Sequence, residues 1–244
     1  MVNFRLLWGE LPNLGAGALY TISISVGAVC IGIVLGLVNA MLRLSSRRWL
    51  YYPATIYTEA FRNTPMLVQI LLLWFGVFPM LGIEAYLTDF DTFLQARGLL
   101  GEDAFFLGNK GPILAGITAL GLNSGAYLGE IFRGGIQSID KGQREAALSL
   151  GLSEYQSMRY VVLPQALANA VPALGNEFVT LIKDSSLLSV LAVLELTHRA
   201  ELVGGRRLDY FTMYIGIGFV YFLICFSLSR YMARLEKTLR VGYK

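Results

Sequence analysis

Five long apolar stretches alternate with short polar ones along the chain, near residues 14–43, 53–80, 112–135, 168–198 and 210–232. About twenty apolar residues at 1.5 Å each cross the hydrocarbon core of a bilayer, so each stretch predicts a membrane-spanning helix. Residues 140–164, DKGQREAALSLGLSEYQSMRYVVLP, form a polar island between the third and fourth stretches. Asp140 with Gln143 three residues on gives an N-cap and capping box, and Ala146, Ala147 and Leu150 make a small apolar face at helical spacing. Gly151 suits a left-handed helix end, Ser153 with Gln156 repeats the cap signature, and Pro164 is expected to close a second short helix after Val161, Val162 and Leu163. The island is thus predicted to be a helical hairpin at the membrane surface.

Composition agrees with a membrane protein. Hydrophobic residues are 55% of the 244 and charged residues only 15%, against roughly 25% in a soluble domain. A net charge of +3 without a Lys/Arg tract gives no argument for nucleic acid. Cys30 and Cys225 lie in apolar runs without metal spacing, and His198 is the only histidine, so no metal site is expected. The first apolar run far exceeds a signal-peptide core and is read as a retained span.

Basic residues orient the spans. With the N-terminus outside, twelve Lys and Arg fall on inside segments and six on outside segments, while Arg62 and Lys183 lie within spans. This places the 140–164 hairpin and the C-terminus in the cytoplasm. Gly32 and Gly36 in the first span, and Gly125 and Gly129 in the third, are spaced for close helix packing. Residues 81–111 form an outside connection with Glu84, Asp89, Asp91, Glu102 and Asp103 against Arg97 and Lys110. It reads as a solvated loop or as a docking segment for an external partner. Gly204 and Gly205 are expected in a second outside turn.

Polar groups inside spans mark either structural pairing or a wet pathway. Glu59 reaches Arg62 or Asn63 on one helical face, which suits a tie between helices or a cavity wall. Asn123 and Ser124 sit midway along the third span. In the fourth, Asn176, Glu177, Thr180, Lys183, Asp184, Ser185 and Ser186 form a polar stripe. Lys183 and Asp184 either act as glue between helices or, with Arg62 and Glu177, offer charges to a passing zwitterion.

The spacing Glu145-Ala146-Ala147, three residues, Gly151, nine residues, Val161, one residue, Leu163-Pro164 resembles the signature loop of the membrane subunits of ABC importers, with Val161 where Ile is usual. A wider match to the polar amino-acid permeases of that group covers EAFRNTPMLVQ at 59–69, GEIFRGGIQSIDKGQREAA at 129–147, and VLPQAL through LIKDSSLLSV at 162–190. The resemblance implies an all-α integral membrane protein with the type I importer permease fold, a single transmembrane domain over 1–244 whose coupling loop is 136–165. It implies a multi-pass protein of the bacterial cytoplasmic (inner) membrane, not an enzyme, working with a cytoplasmic ABC ATPase dimer, a second permease subunit (copy or paralogue) and an extracytoplasmic solute-binding protein. Coupling to the ATPase would use Arg144, Glu145, Ala146, Ala147, Gly151, Leu163 and Pro164. No cofactor is expected on this chain, since no G-x-x-x-x-G-K-[ST] loop occurs in it; ATP and Mg would sit on the ATPase. Two other classes are a secondary transporter or channel, which would not need the hairpin, and a membrane enzyme, for which the scattered carboxylates and lone histidine supply no catalytic cluster.

Overall fold

A computed structural model describes residues 2–97 and 110–241. Glu102 and Asp103 of the outside connection lie outside the described residues. Among the described residues the chain is helical, without strands: α1 (Phe4–Leu44), α2 (Arg48–Arg62), α3 (Met66–Leu72), α4 (Phe78–Met80), α5 (Ile83–Ala96), α6 (Gly111–Gln137), α7 (Lys141–Ser149), α8 (Glu154–Ser157), α9 (Leu163–Asp184), α10 (Leu196–Arg207) and α11 (Tyr210–Val241).

Of these helices, α1 and α11 are each long and apolar enough to span a membrane. The second apolar stretch passes only as a broken pair, Arg48–Arg62 with Met66–Met80, bent by 107°. This corrects the expectation of one continuous span. Pro65 disfavours helical geometry at Thr64, and Pro65 itself is extended at ψ 136° before α3. The buried Gln69 amide closes the break by donating to the Thr64 carbonyl (3.0 Å) and hydroxyl (2.8 Å). With 27 and 22 residues, α6 and α9 have spanning length, but their polar residues lower their hydropathy.

The fourth stretch is also interrupted. Its helix ends at Asp184, a 3-10 segment follows over Ser185–Leu191, and Ala192 adopts φ 56° before α10 starts. The stripe from Asn176 to Ser186 therefore runs off the end of a helix instead of continuing along it. Gly204 and Gly205 are helical within α10, not in a turn. The 81–111 connection is not simply a loop, because α5 occupies Ile83–Ala96; its Ile83, Leu87, Phe90 and Leu94 recur at helical spacing, and Asp91 is buried.

The chain falls into two compact units, each drawing on three stretches. The first comprises Met1–Ala28, Thr64–Gly121 and Ile182–Tyr221. Its core joins Leu14, Leu196, Ala200, Val203, Met213 and Ile217, with Leu6, Leu7, Val220 and Tyr221 against them. A fully buried carboxyl, Glu195, caps α10 by accepting from the backbone N–H of Thr197 (2.9 Å) and His198 (2.7 Å). It also accepts from the Tyr221 hydroxyl (3.0 Å), while Thr21 accepts from the Leu196 N–H (3.2 Å). One acidic side chain thereby fastens α10 to α1 and α11.

The second unit comprises Val29–Asn63, Leu122–Leu181 and Phe222–Lys244. Here the glycine spacings do what small residues do in membranes. A methyl at Gly36 would stand 2.7 Å from Leu128 Cβ and 3.0 Å from the Gly129 nitrogen, so α1 and α6 touch there with no room for a side chain. Gly125 meets Leu35 and the Tyr57 hydroxyl in the same way. Buried Asn39 donates to Thr58 (2.8 Å), tying α1 to α2. Arg43 pairs with Glu130, which also receives Arg133 at 2.6 Å.

Candidate functional site

The polar island folds as a helical hairpin. Asp140 caps α7 through its oxygen to the Gly142 N–H (2.7 Å). The expected capping box with Gln143 does not form; the Gln143 oxygen instead accepts from Gln165 (3.4 Å). Asp140 thus uses the N2 donor, one of the unpaired N–H groups of the first helical turn. At the other end Gly151, at φ 86°, donates to Leu148 (2.9 Å) and Leu152 donates to Ala147 (3.2 Å). This is a Schellman closure, and its positive φ favours glycine.

The second arm starts with a complete capping box: Ser153 accepts from Gln156 N–H (3.3 Å) and Gln156 accepts from Ser153 N–H (2.8 Å). Pro164 does not end this arm. A π-turn over Met158–Val162 carries α8 into α9, with Pro164 in the first turn of α9. Pro164 has no N–H to donate, and the wider π-turn before it accommodates its ring where an α-turn would clash. The hairpin is therefore continuous with the helix that bears Asn176, Glu177 and Thr180.

Arg144 spans the two arms. Its Nε and NH2 donate to the Glu154 carboxylate at 3.0 and 2.5 Å. It joins the two arms through an exposed ion pair, a contact that its reading as a coupling residue did not foresee. Ala147 is buried, as is Val162. Glu145, Ala146 and Gly151 are exposed, Leu150 is 84% exposed, and Tyr155 and Tyr160 on the second arm are exposed as well. Leu163 is 38% exposed. A small apolar surface rimmed by polar groups is thus presented by a rigidly capped element.

In the second unit, α2 and α6 bring part of the polar pathway set together. Asn63 donates to Glu59 (2.7 Å), so of the two partners foreseen for Glu59 the amide is chosen. Arg62 lies 5.2 Å over the Tyr127 ring. Asn123 donates to the Phe61 carbonyl (3.1 Å), and the Tyr57 hydroxyl to Leu122 at 2.5 Å. Three carbonyl or ring contacts therefore fix the end of α2 where its backbone stops being helical. Asn176 and Thr180 are exposed on α9 and Glu177 is half-buried.

In the first unit, Lys183 is exposed, Asp184 half-buried and Ser185 buried. Ser185 and Ser186 hydroxyls donate to Ile182 (2.7 Å) and Lys183 (2.6 Å) carbonyls, which satisfies the frayed end of α9. No ion pair joins Lys183 to Asp184 among the described residues. Sequence reasoning missed the Arg43, Glu130 and Arg133 cluster and buried Glu195. The available signal was a carboxyl in an apolar setting, which is costly unless partnered. Among the described residues no group of three or more His, Cys, Asp or Glu is placed to hold a metal.

Comparison with known proteins agrees with this architecture. Residues 28–241 match the family of binding-protein-dependent transport system inner membrane components. A probable amino-acid ABC transporter permease protein, YckA of Bacillus subtilis, is 37% identical over 96% of this chain and 92% of its own. The glutamine transport system permease protein GlnP of Escherichia coli K12 is 33% identical over 98% of both chains. A chain from the crystal structure of an amino acid ABC transporter with histidines superposes with a TM-score of 0.80 at 34% identity, covering 98% of this chain and 99% of its own. The MetNI methionine ABC transporter in an inward-facing form shares the fold at TM-score 0.72 and 16% identity. With a helical architecture, a capped hairpin and relatives spanning nearly its full length, this chain belongs to the binding-protein-dependent transport system inner membrane components, the non-catalytic pore subunits of ABC importers.

Proposed function

We propose that this chain forms, with a second permease copy or paralogue, the pore of an importer that moves polar amino acids into the cytoplasm. The energy comes from ATP and Mg on a partner ATPase dimer, and an extracytoplasmic binding protein delivers the substrate. Near-complete coverage of relatives named as amino-acid permeases is the observation that carries the substrate class. In this reading α1, the bent pair of α2 with α3 and α4, α6, α9 and α11 make five crossings, with the N-terminus outside and the C-terminus inside.

The hairpin docks on the ATPase through Glu145, Ala146, Gly151 and the protruding Leu150. Because α8 passes into α9 without a break, a displacement of the hairpin is delivered to the helix bearing Asn176, Glu177 and Thr180. Glu59, Arg62, Asn63, Asn123, Lys183, Asp184 and Ser185 complete the polar groups proposed along the path. Arg62 or Lys183 would meet a carboxylate and Glu177 or Asp184 an ammonium.

Uptake by proteoliposomes that hold the full complex tests the proposal. Accumulation of a polar amino acid is expected only with ATP, the ATPase and the binding protein together. Accumulation without ATP would contradict it. In the same vesicles Lys183→Met and Asp184→Asn are each expected to lower transport by about tenfold, the worth of one charge-assisted hydrogen bond, with assembly intact. Normal transport by both would return these side chains to packing.

A further inference from the structure

The end of α11 carries a ladder of cations. Arg230, Arg234 and Lys237 are all exposed, and with Phe226 they line a hollow of about 620 Å³. On a helical wheel Phe222, Phe226, Arg230, Arg234 and Lys237 fall within about 120° of arc. Glu236 lies outside that arc. The two phenylalanine rings stack at 5.5 Å, and Arg230 lies 5.2 Å over the Phe226 ring.

Three other basic side chains of this unit are paired with carboxylates, Arg43 and Arg133 with Glu130 and Arg144 with Glu154, while Arg47, Arg48 and Lys141 are exposed without an ion pair among the described residues. Arg230, Arg234 and Lys237 form no ion pair among the described residues. The helix is also poorly covered by the protein: only 17% of its apolar window over Tyr210–Thr238 is buried. Phe222 and Phe226 are 58% and 47% exposed. One stripe thus changes from aromatic to cationic within a single turn, at the end of a spanning helix.

We infer that this stripe is a seat for one anionic phospholipid. The cationic part extends about 10 Å from Arg230 to Lys237 at 1.5 Å per residue, comparable to the roughly 5–8 Å headgroup layer on each side of a bilayer. A phosphodiester accepts from the two guanidinium groups and the ammonium, and guanidinium is suited to bidentate contact with phosphate. An acyl chain lies along the Phe222 and Phe226 rings. A neutral or zwitterionic lipid gains the apolar contact without the net charge, so the seat selects for anionic headgroups. Its assignment to the inner leaflet rests on the orientation proposed above; the headgroup preference does not.

Native mass spectrometry of the full chain, released from vesicles of phosphatidylglycerol mixed with phosphatidylcholine, reads the preference directly. The wild type is expected to retain phosphatidylglycerol at least about tenfold over phosphatidylcholine. Each of Arg230→Gln, Arg234→Gln and Lys237→Gln should reduce that ratio about fivefold, the equivalent of about 1 kcal/mol per cation at a membrane surface. The charge-keeping pair Arg230→Lys with Arg234→Lys should keep most of it, which separates loss of charge from loss of fold. Glycerol phosphate should not displace the lipid, because it lacks the chain. Equal retention of the two lipids, retention unchanged in the three Gln variants, displacement by glycerol phosphate, or displacement by the ATPase subunit would each overturn the inference. Labelling of Lys237→Cys by an impermeant thiol reagent from outside intact cells would instead remove only the orientation.

Discussion

Gly151→Arg is expected to reduce substrate-stimulated ATP hydrolysis of the assembled transporter by at least about tenfold while leaving membrane insertion unchanged. Gly151 sits at φ 86° and no atom lies within 4 Å of where its Cβ would be. A side chain therefore meets space but not a compatible backbone, at a cost of about 1–2 kcal/mol for an L-residue in the left-handed region. That cost falls on the Schellman closure that ends α7, and an arginine also projects into the surface proposed to seat on the ATPase. Loss of a contact worth about 2 kcal/mol at an interface hot spot accounts for the tenfold figure. Gly151→Asn, which tolerates this backbone geometry, should retain most of the coupling. Glu145→Arg reverses an exposed charge on the same surface and should show the same loss. Normal coupling in Gly151→Arg and Glu145→Arg together would remove the hairpin from the mechanism.

Glu195→Ala is expected to lower the stability of the detergent-solubilised chain by about 3 kcal/mol. The substitution removes an N-cap, worth about 0.5–2 kcal/mol. It also strands the part-buried Thr197 and His198 N–H groups, each costing about 1–3 kcal/mol where no water replaces the partner, while the Tyr221 hydroxyl keeps the Thr197 hydroxyl at 3.1 Å. Glu195→Gln keeps an acceptor of the same shape and should lose much less. Thermal unfolding followed by loss of helical circular dichroism gives the ordering. Equal midpoints for wild type and Glu195→Ala would mean that α10 is anchored by its apolar core alone.

What could be read from residues follows from how local each signal is. Ser153 with Gln156 and the glycine at 151 specify the hairpin through contacts within a few residues, and the structure shows both. The close packing at Gly36 and Gly125 was likewise visible from spacing. The breaks were not. Glu59–Pro65 is a polar dip inside the second stretch, but a dip alone does not separate a polar patch on a straight span from a bend, although Pro65 carried the warning. The end of α9 is hidden by the leucines and valines of 187–194, and α10 begins where it does because Glu195 finds Thr21 and Tyr221, partners 174 and 26 residues away. Pro164 misled for a related reason: a proline ends a helix that it follows but begins one that it leads, and the π-turn joined the two. The polar pathway residues were legible as costly polar groups in apolar runs. Their local partners were only half legible, since Glu59 had two candidates and Arg62 took an aromatic ring.

Contact between the hairpin and a cytoplasmic ATPase is the most exposed claim, and Leu150 at its tip is the place to measure it. In a chain with Cys30 and Cys225 replaced by serine, Leu150→Cys should cross-link to the ATPase subunit in membranes, through a short bifunctional thiol reagent. Labelling by an impermeant reagent should occur only when the cytoplasmic face is opened. Labelling of Leu150→Cys from outside intact cells, or no ATPase adduct in complexes that transport normally, would contradict it.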